Sequence, residues 1–288
     1  MKGIISASVT PFKADGCFNS SALEALMRRN LSEGASGFFV GGSSAECFLL
    51  TEKERIDVFE AACNFVKETS VIAHVGAVGT NEAIRYAKAA KNFGAQYIAA
   101  TPPFYYGFNG AQIAEYYYDI ARAADMPVMV YNFPINTGKS FDLRDPDICK
   151  LLKSDAVWGI KNTDYNLFHM ERIRNLNPKL VIMNGYDETM VPGLALGADG
   201  SIGSTFNVML PHYLQIYNAY HDGTDKSRET ALKLQAKANT IMEAFCSVGL
   251  IAAIKYVLSR QGIDAGIPRK PFIPLTLAQE AFINEVLG

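Results

Sequence analysis

Lys161 sits where an ammonium is hard to accommodate. It falls near the end of Val157-Trp158-Gly159-Ile160-Lys161-Asn162-Thr163, a short apolar run followed at once by small polar residues. That pattern predicts a buried strand whose C-terminal end presents an amine to a pocket. Burying an unpaired ammonium is expensive, so such a position is kept where chemistry uses it. Five further stretches end in groups able to serve an amine. Gly41-Gly42-Ser43-Ser44-Ala45-Glu46 puts two glycines before two hydroxyls. The backbone N–H groups of such a turn, with Ser43 and Ser44, can converge on a small anion, although a plain tight turn has the same look. Thr101-Pro102-Pro103-Phe104-Tyr105-Tyr106 is an aromatic loop, and Tyr131-Asn132-Phe133-Pro134 ends a run in a phenol. Asn184-Gly185-Tyr186-Asp187-Glu188 offers two carboxylates, either to a polyol or to a helix dipole. Gly203-Ser204-Thr205-Phe206-Asn207 is again small and polar.

Together these groups fit carbonyl chemistry through a Schiff base. An amine condenses with a ketone, and the iminium draws electrons from the adjacent carbon. The amine must be free to attack, so its pKa has to fall from about 10.4 toward roughly 7–8 by burial in an apolar site. Ile160 and Trp158 are expected to supply that surrounding. Tyr131 is placed to move protons to and from a substrate hydroxyl. A turn holding a carboxylate next to the ketone makes a 2-keto acid the natural ligand. Metal chemistry has little support: of His74, His169, His212 and His221, only His74 lies near a strand end, and one histidine does not make a divalent site. No Ser/His/Asp set converges.

The elements that must position these groups read as eight short apolar runs alternating with helical patterns. The runs are Ile4–Thr10, Gly37–Gly41, Val71–Gly76, Tyr97–Thr101, Val128–Tyr131, Val157–Lys161, Leu180–Asn184 and Gly200–Gly203. Between them lie amphipathic segments over Ser20–Glu33, Thr51–Lys67, Asn81–Phe93, Ala111–Ala124, Asp145–Leu152, Leu167–Leu176 and Asp187–Leu196. Thr51-Glu52-Lys53-Glu54 opens the second with a capping-box pattern, and Gly34, Gly94 and Gly197 sit where left-handed helix ends favour glycine. Strands this apolar argue for a parallel sheet covered by helices. An open dinucleotide-binding sheet would carry G-x-G-x-x-G after its first strand; here that strand ends Val9-Thr10-Pro11-Phe12. The count favours an α/β fold of the (β/α)8 TIM-barrel type over residues 1–210, with chemistry at the C-terminal strand ends. Residues 211–288 read as additional C-terminal helices: Pro211–Asp222, Thr224–Phe245, Gly249–Gln261 and Leu277–Val286.

The chain has 288 residues, of which 49% are hydrophobic and 19% charged, enough for a large core. Net charge is −2 and there is no basic run, so neither a nucleic acid nor a membrane surface is indicated as partner. No apolar stretch is long enough to span a bilayer. Met1-Lys2-Gly3-Ile4-Ile5-Ser6 is too short and interrupted for a signal peptide. Five scattered cysteines without a C-x-x-C pair are ordinary cytosolic usage. A cytoplasmic location is expected.

In this order GGSSAE, TPPFYY, YNFP, GIKNTD and NGYDE…GSTFN resemble the pyruvate-dependent class I aldolase family of dihydrodipicolinate synthase and N-acetylneuraminate lyase. The likeness runs from residue 3 to Arg269-Lys270-Pro271-Phe272. It implies that Lys161 forms the Schiff base, that Tyr131 donates and accepts the proton, and that Ser43 and Ser44 hold the substrate carboxylate. Tyr105 would reach a neighbouring subunit's site in a homotetramer. No organic cofactor or metal is implied, because the iminium is the electron sink. The synthase branch usually has an arginine after the YN-x-P motif and an acidic residue after the lysine. This chain has Ile135-Asn136-Thr137 and Asn162-Thr163. The lyase likeness makes Thr163, Gly185, Asp187, Glu188 and Ser204 substrate contacts, and implies cleavage of N-acetylneuraminate to N-acetylmannosamine and pyruvate. Ala45 departs from the family, where a glycine is usual, and is expected to stiffen the turn. The rivals are an aldolase or dehydratase for a 2-keto-3-deoxy sugar acid, the synthase itself, and an idle sugar-acid binder.

Overall fold

A computed structural model describes all 288 residues. The eight strands are β1 Gly3–Ala7, β2 Gly37–Val40, β3 Ser70–His74, β4 Tyr97–Ala100, β5 Val128–Asn132, β6 Val157–Asn162, β7 Val181–Asn184 and β8 Gly200–Gly203. Each is parallel to the next and β8 closes on β1, giving a closed barrel. The helices are α1 Ser20–Glu33, α2 Glu52–Phe65, α3 Thr80–Asn92, α4 Gly110–Ala124, a short α5 Pro134–Thr137, α6 Pro146–Lys153, α7 Leu167–Leu176, α8 Met190–Ala195, α9 Phe206–Asp222, α10 Asp225–Val248, α11 Leu250–Arg260 and α12 Leu277–Leu287. No single helix is long and apolar enough to cross a membrane.

Alternation along each strand divides the core in two. Residues facing outward, among them Phe38, Val40, Ile98, Val130 and Ile160, pack under the helices in the larger apolar cluster. Those facing inward, among them Ile5, Phe39, Ile72, Met129, Tyr131, Met183 and Ile202, fill the barrel. A third cluster joins α10, α11 and α12 to α1 through Leu26, Phe245, Ile254, Leu258 and Ile283, so the C-terminal helices share a core with the barrel's outer layer. The capping box at Thr51 is formed on both sides, with the Thr51 side chain on the Glu54 N–H and the Glu54 side chain on the Thr51 N–H. Gly34, Gly94 and Gly197 all have positive φ.

Most element ends fall within one or two residues of the expectations above; the larger departures are local. The first strand stops at Ala7 rather than Thr10: the Ser8 N–H still reaches Phe39 O, but the Asn207 side chain takes the Val9 N–H. The helix expected over Asp187–Leu196 is a 3-10 turn, Asp187–Thr189, followed by α8. The short α5 behind Pro134 was not anticipated at all. The helix expected to begin at Pro211 begins at Phe206, across residue 210, and Pro211 lies inside it next to a kink at Met209. A proline cannot donate to the carbonyl four residues earlier, here Asn207, and that oxygen instead accepts from the Arg29 guanidinium.

The β1–β8 seam is tight enough to require glycine. A Cβ on Gly200 would collide with the backbone of Gly3, whereas one on Gly107 would meet nothing. Gly200→Ala is expected to lower stability by about 2 kcal/mol, in the range of overpacking changes, and Gly107→Ala to change it by less than about 0.5 kcal/mol. Urea unfolding of the two variants checks this; equal effects would contradict it.

Candidate active site

The register of two strands brings the amine and the phenol together. Val128 pairs with Val157, but Met129 pairs with Gly159, so β6 carries one extra residue, Trp158, at an irregularity. Beyond it Tyr131 lies opposite Lys161 and Asn132 opposite Asn162. Without the extra residue Tyr131 would face Ile160, and a slip of one residue exchanges the two faces of a strand. Lys161 therefore points into the barrel and is 4% exposed. Its Nζ lies 4.5 Å from the centre of the Phe39 ring and 4.2 Å from that of Tyr131. The expected source of the apolar surrounding is thus corrected. Ile160 faces the helices, and Trp158 packs at a tilt against Tyr97 at the opposite end of its strand. Phe39 and Tyr131 do the desolvating. Burial brings the Lys161 amine down to about 7, against the opposing pull of the Asp187 carboxylate and Cys47.

Tyr131 is buried, and burial pushes its phenol above the ordinary range, with the Ser43 hydroxyl opposing. Its OH lies 3.4 Å from Ser43 Oγ. Ser43 and Ser44 stand in a 3-10 turn, Ser43–Ala45, and both line the cavity that contains Lys161. Ala45 has no left-handed strain; the left-handed residue is Glu46, with φ of 59°. His74 fixes the strand end from which this turn departs. Its Nε2 accepts the Thr101 N–H at 3.2 Å, which leaves the proton on Nδ1 to donate to Gly41 O at 3.0 Å. Burial, with the Arg55 guanidinium beside it, keeps the ring neutral, holding its pKa well below the usual histidine range. A neutral histidine tying β2, β3 and β4 together is a structural part of the site, not a ligand. No three His, Cys, Asp or Glu side chains converge as a metal group would require.

The cavity holds about 300 Å³ and continues from Lys161 toward Asp187, Glu188 and Ser204. Asp187 is 2% exposed, and one carboxylate oxygen accepts the Thr205 N–H at 2.7 Å and the Thr205 hydroxyl at 2.5 Å. The Ser204 hydroxyl donates to the same oxygen at 3.4 Å. Burial raises the Asp187 carboxyl to about 6, opposed by the Thr205 hydrogen bonds. Glu188 accepts from the Tyr165 hydroxyl at 2.7 Å through one oxygen, while its other is buried without a partner. The Thr163 hydroxyl is buried close enough to the Tyr131 phenol to oppose its rise in pKa, yet it has no hydrogen-bond partner of good distance and angle. Gly185 is required next to it, because a Cβ there would strike Thr163 Oγ1. These two unpartnered oxygens point to a polar ligand.

Nine of the ten residues singled out from the sequence line this one cavity: Lys161, Tyr131, Ser43, Ser44, Thr163, Gly185, Asp187, Glu188 and Ser204. Tyr105 does not. It is 84% exposed with φ of 78°, edge-on to Tyr106. Several lining residues lie outside the motifs. Tyr165 stacks at 4.3 Å on Tyr186 of the Asn184–Glu188 stretch, beside Glu188, and was findable as the fourth residue after Lys161 on the same loop. Met242, Cys246, Leu250 and Ile251 come from the C-terminal helices, and nothing in their spacing marks them.

A lysine whose pKa falls to about 7 on folding weakens folding at neutral pH, because the unfolded chain holds the proton more tightly. Between pH 7 and about 10.4 the unfolded chain binds the extra proton, so wild-type stability rises with pH across that window. Lys161→Met is expected to be more stable than wild type at pH 7, by about 2 kcal/mol, with the gap narrowing at pH 9. Urea unfolding at both pH values checks this; a variant less stable than wild type at pH 7 would contradict it.

Residues 1–287 match the dihydrodipicolinate synthetase family. The N-acetylneuraminate lyase of Rhizobium meliloti is 36% identical over 290 residues, covering 100% of this chain and 95% of its own. A Clostridium difficile protein solved in complex with mannosamine superposes with a TM-score of 0.94 at 34% identity, over 99% of this chain and 98% of that one. The N-acetylneuraminate lyase of Fusobacterium nucleatum superposes with a TM-score of 0.92 at 34% identity, over 99% and 97%. The full-length match and the closed barrel agree: the chain belongs to the dihydrodipicolinate synthetase family, and is a carbon–carbon lyase of the aldolase type.

Proposed function

We propose that the protein cleaves N-acetylneuraminate reversibly to N-acetylmannosamine and pyruvate through a Schiff base on Lys161. The observation that carries this reading is the amine itself, brought to about 7 by burial and set beside a phenol in matched register. The names of the relatives and the neighbour solved with mannosamine support the substrate class. The absence of a cation in Ile135-Asn136-Thr137 disfavours the synthase, which must grip a second carboxylate.

In this mechanism Ser43 and Ser44 hold the carboxylate of the open-chain sugar acid, and Lys161 Nζ adds to its C2 ketone. The carbinolamine hydroxyl leaves as water, taking the proton of the Tyr131 phenol. This produces an iminium cation and a phenolate side by side, each stabilising the other where water is excluded. The high starting pKa of Tyr131 suits it to begin as the acid. The phenolate then removes the C4 hydroxyl proton, the C3–C4 bond breaks, and its electrons pass to the iminium as an enamine. N-Acetylmannosamine departs as the aldehyde; protonation at C3 and hydrolysis release pyruvate and free amine. Glu188, through its unpartnered oxygen, and Thr163 accept or donate to the polyol. Asp187 acts from the wall, orienting Ser204 and Thr205. Tyr105, turned away from its own cavity, serves the site of a neighbouring copy in a homotetramer.

Incubation with pyruvate and borohydride, followed by peptide mass spectrometry, is expected to place a reduced three-carbon adduct on Lys161; an unmodified Lys161 peptide would sink the Schiff-base reading. Against a panel of 2-keto-3-deoxy sugar acids, N-acetylneuraminate is expected to be the best cleaved. Tyr131→Phe should lower turnover by about 10²–10⁴-fold while the pyruvate adduct still accumulates on long incubation. Turnover within tenfold of wild type would remove Tyr131 from the proton transfers.

A further inference from the structure

One buried ion pair lies outside the chemistry just described and borders it. Glu46 directly follows the Ser43–Ala45 turn, and both it and Lys255 of α11 are essentially without exposure, with side chains 0% and 1% accessible. Lys255 Nζ is 2.6 Å from one oxygen of Glu46, and the backbone N–H of Arg269 donates to the other at 2.5 Å. The same Nζ donates to Ile267 O at 3.3 Å and lies 4.0 Å from the centre of the Phe12 ring. Arg269 is itself fixed, its guanidinium on both oxygens of Glu54 at 2.7 and 2.8 Å, on Leu49 O and on Gly16 O.

Two facts make this more than a salt bridge. A buried pair of this kind adds little stability over apolar residues of similar volume, so its contribution lies in geometry. Glu46 also holds a left-handed backbone, which costs a non-glycine residue about 1–2 kcal/mol and persists only where surrounding contacts over-determine it. Those contacts are the Lys255 ammonium and the Arg269 N–H. On the other side the turn is tied by the Thr10 hydroxyl donating to Ala45 O at 2.9 Å. Arg269 lies three residues before Phe272, which lines the Lys161 cavity, so one clamp sets the turn and one wall.

We propose that Glu46 and Lys255 are positioning residues that hold the Ser43–Ser44 turn in shape to receive a substrate carboxylate, making carboxylate selectivity depend on the C-terminal helices. This rests on the reading that Ser43 and Ser44 bind that carboxylate. Neither Glu46 nor Lys255 needs to touch substrate.

The test compares two ketones of similar size, pyruvate and hydroxyacetone, by the rate at which cyanoborohydride traps each on Lys161. Lys255→Met is expected to slow trapping of pyruvate at least tenfold, through a higher half-saturating concentration, and to change that of hydroxyacetone less than twofold. Because Lys255→Met leaves a buried carboxylate unpaired, the doubly substituted Glu46→Gln/Lys255→Met is measured alongside. It carries no unpaired charge and is expected to melt near wild type yet show the same loss of selectivity. An equal fall for both ketones in folded protein, or wild-type selectivity in the double variant, overturns the proposal. Wild-type protein that traps neither ketone overturns instead the Schiff-base reading, and the positioning role falls with it.

Discussion

Side chains on neighbouring parallel strands share a face only when their residues pair, and in this barrel one irregularity decides which residue of β6 stands beside Tyr131. The extra residue at Trp158 advances the register so that Lys161, not Ile160, turns inward at the level of the phenol. Much else follows from that placement. An ammonium between the faces of Phe39 and Tyr131 has lost most of its water, and the rings return only part of the solvation. Neutrality is the cheaper state, and a neutral amine at ordinary pH is a nucleophile.

The surroundings of the amine are organised to keep polar atoms satisfied without supplying it a close counter-ion. His74 spends both ring nitrogens on Gly41 and Thr101. Asp187 directs one oxygen to Thr205 and Ser204 rather than to Lys161. Had either group paired closely with the lysine, its ammonium would have been stabilised and its reactivity lost. Among the buried side-chain atoms left unpaired, those of Thr163 and Glu188 line the cavity, where a polar ligand would find partners.

Much of this was legible in the sequence because strand ends carry their own punctuation. Short apolar runs ending in Gly-Gly-Ser-Ser, Tyr-Asn, Ile-Lys-Asn and Asn-Gly-Tyr-Asp-Glu mark where a barrel opens, and their count agreed with a closed sheet. The irregularity at Trp158 was invisible, since it depends on how two strands pair rather than on either one. For that reason the apolar surrounding of Lys161 was assigned to its neighbours in sequence, Ile160 and Trp158, instead of to Phe39 and Tyr131 across the barrel. The wall built by Met242, Cys246, Leu250 and Ile251 escaped notice too, because an apolar helix face looks alike whether it covers a core or a cavity. Tyr105 was noticed, but it stands exposed and outside the cavity of its own chain. At Pro211 a proline suggested a helix start, yet Arg29 satisfies the carbonyl it leaves free, and the helix runs through.

The proposed chemistry depends on the Lys161 amine losing its proton near pH 7, well below an ordinary lysine, so that much of it is a free nucleophile at physiological pH. Protein labelled with ¹³C at the lysine ε-carbons, with Lys161 assigned through Lys161→Met, allows the amine to be titrated directly by NMR. One lysine is expected to titrate near pH 7, its signal missing from the variant. A Lys161 signal that keeps the chemical shift of an ammonium up to about pH 10, as in an exposed lysine, would contradict it.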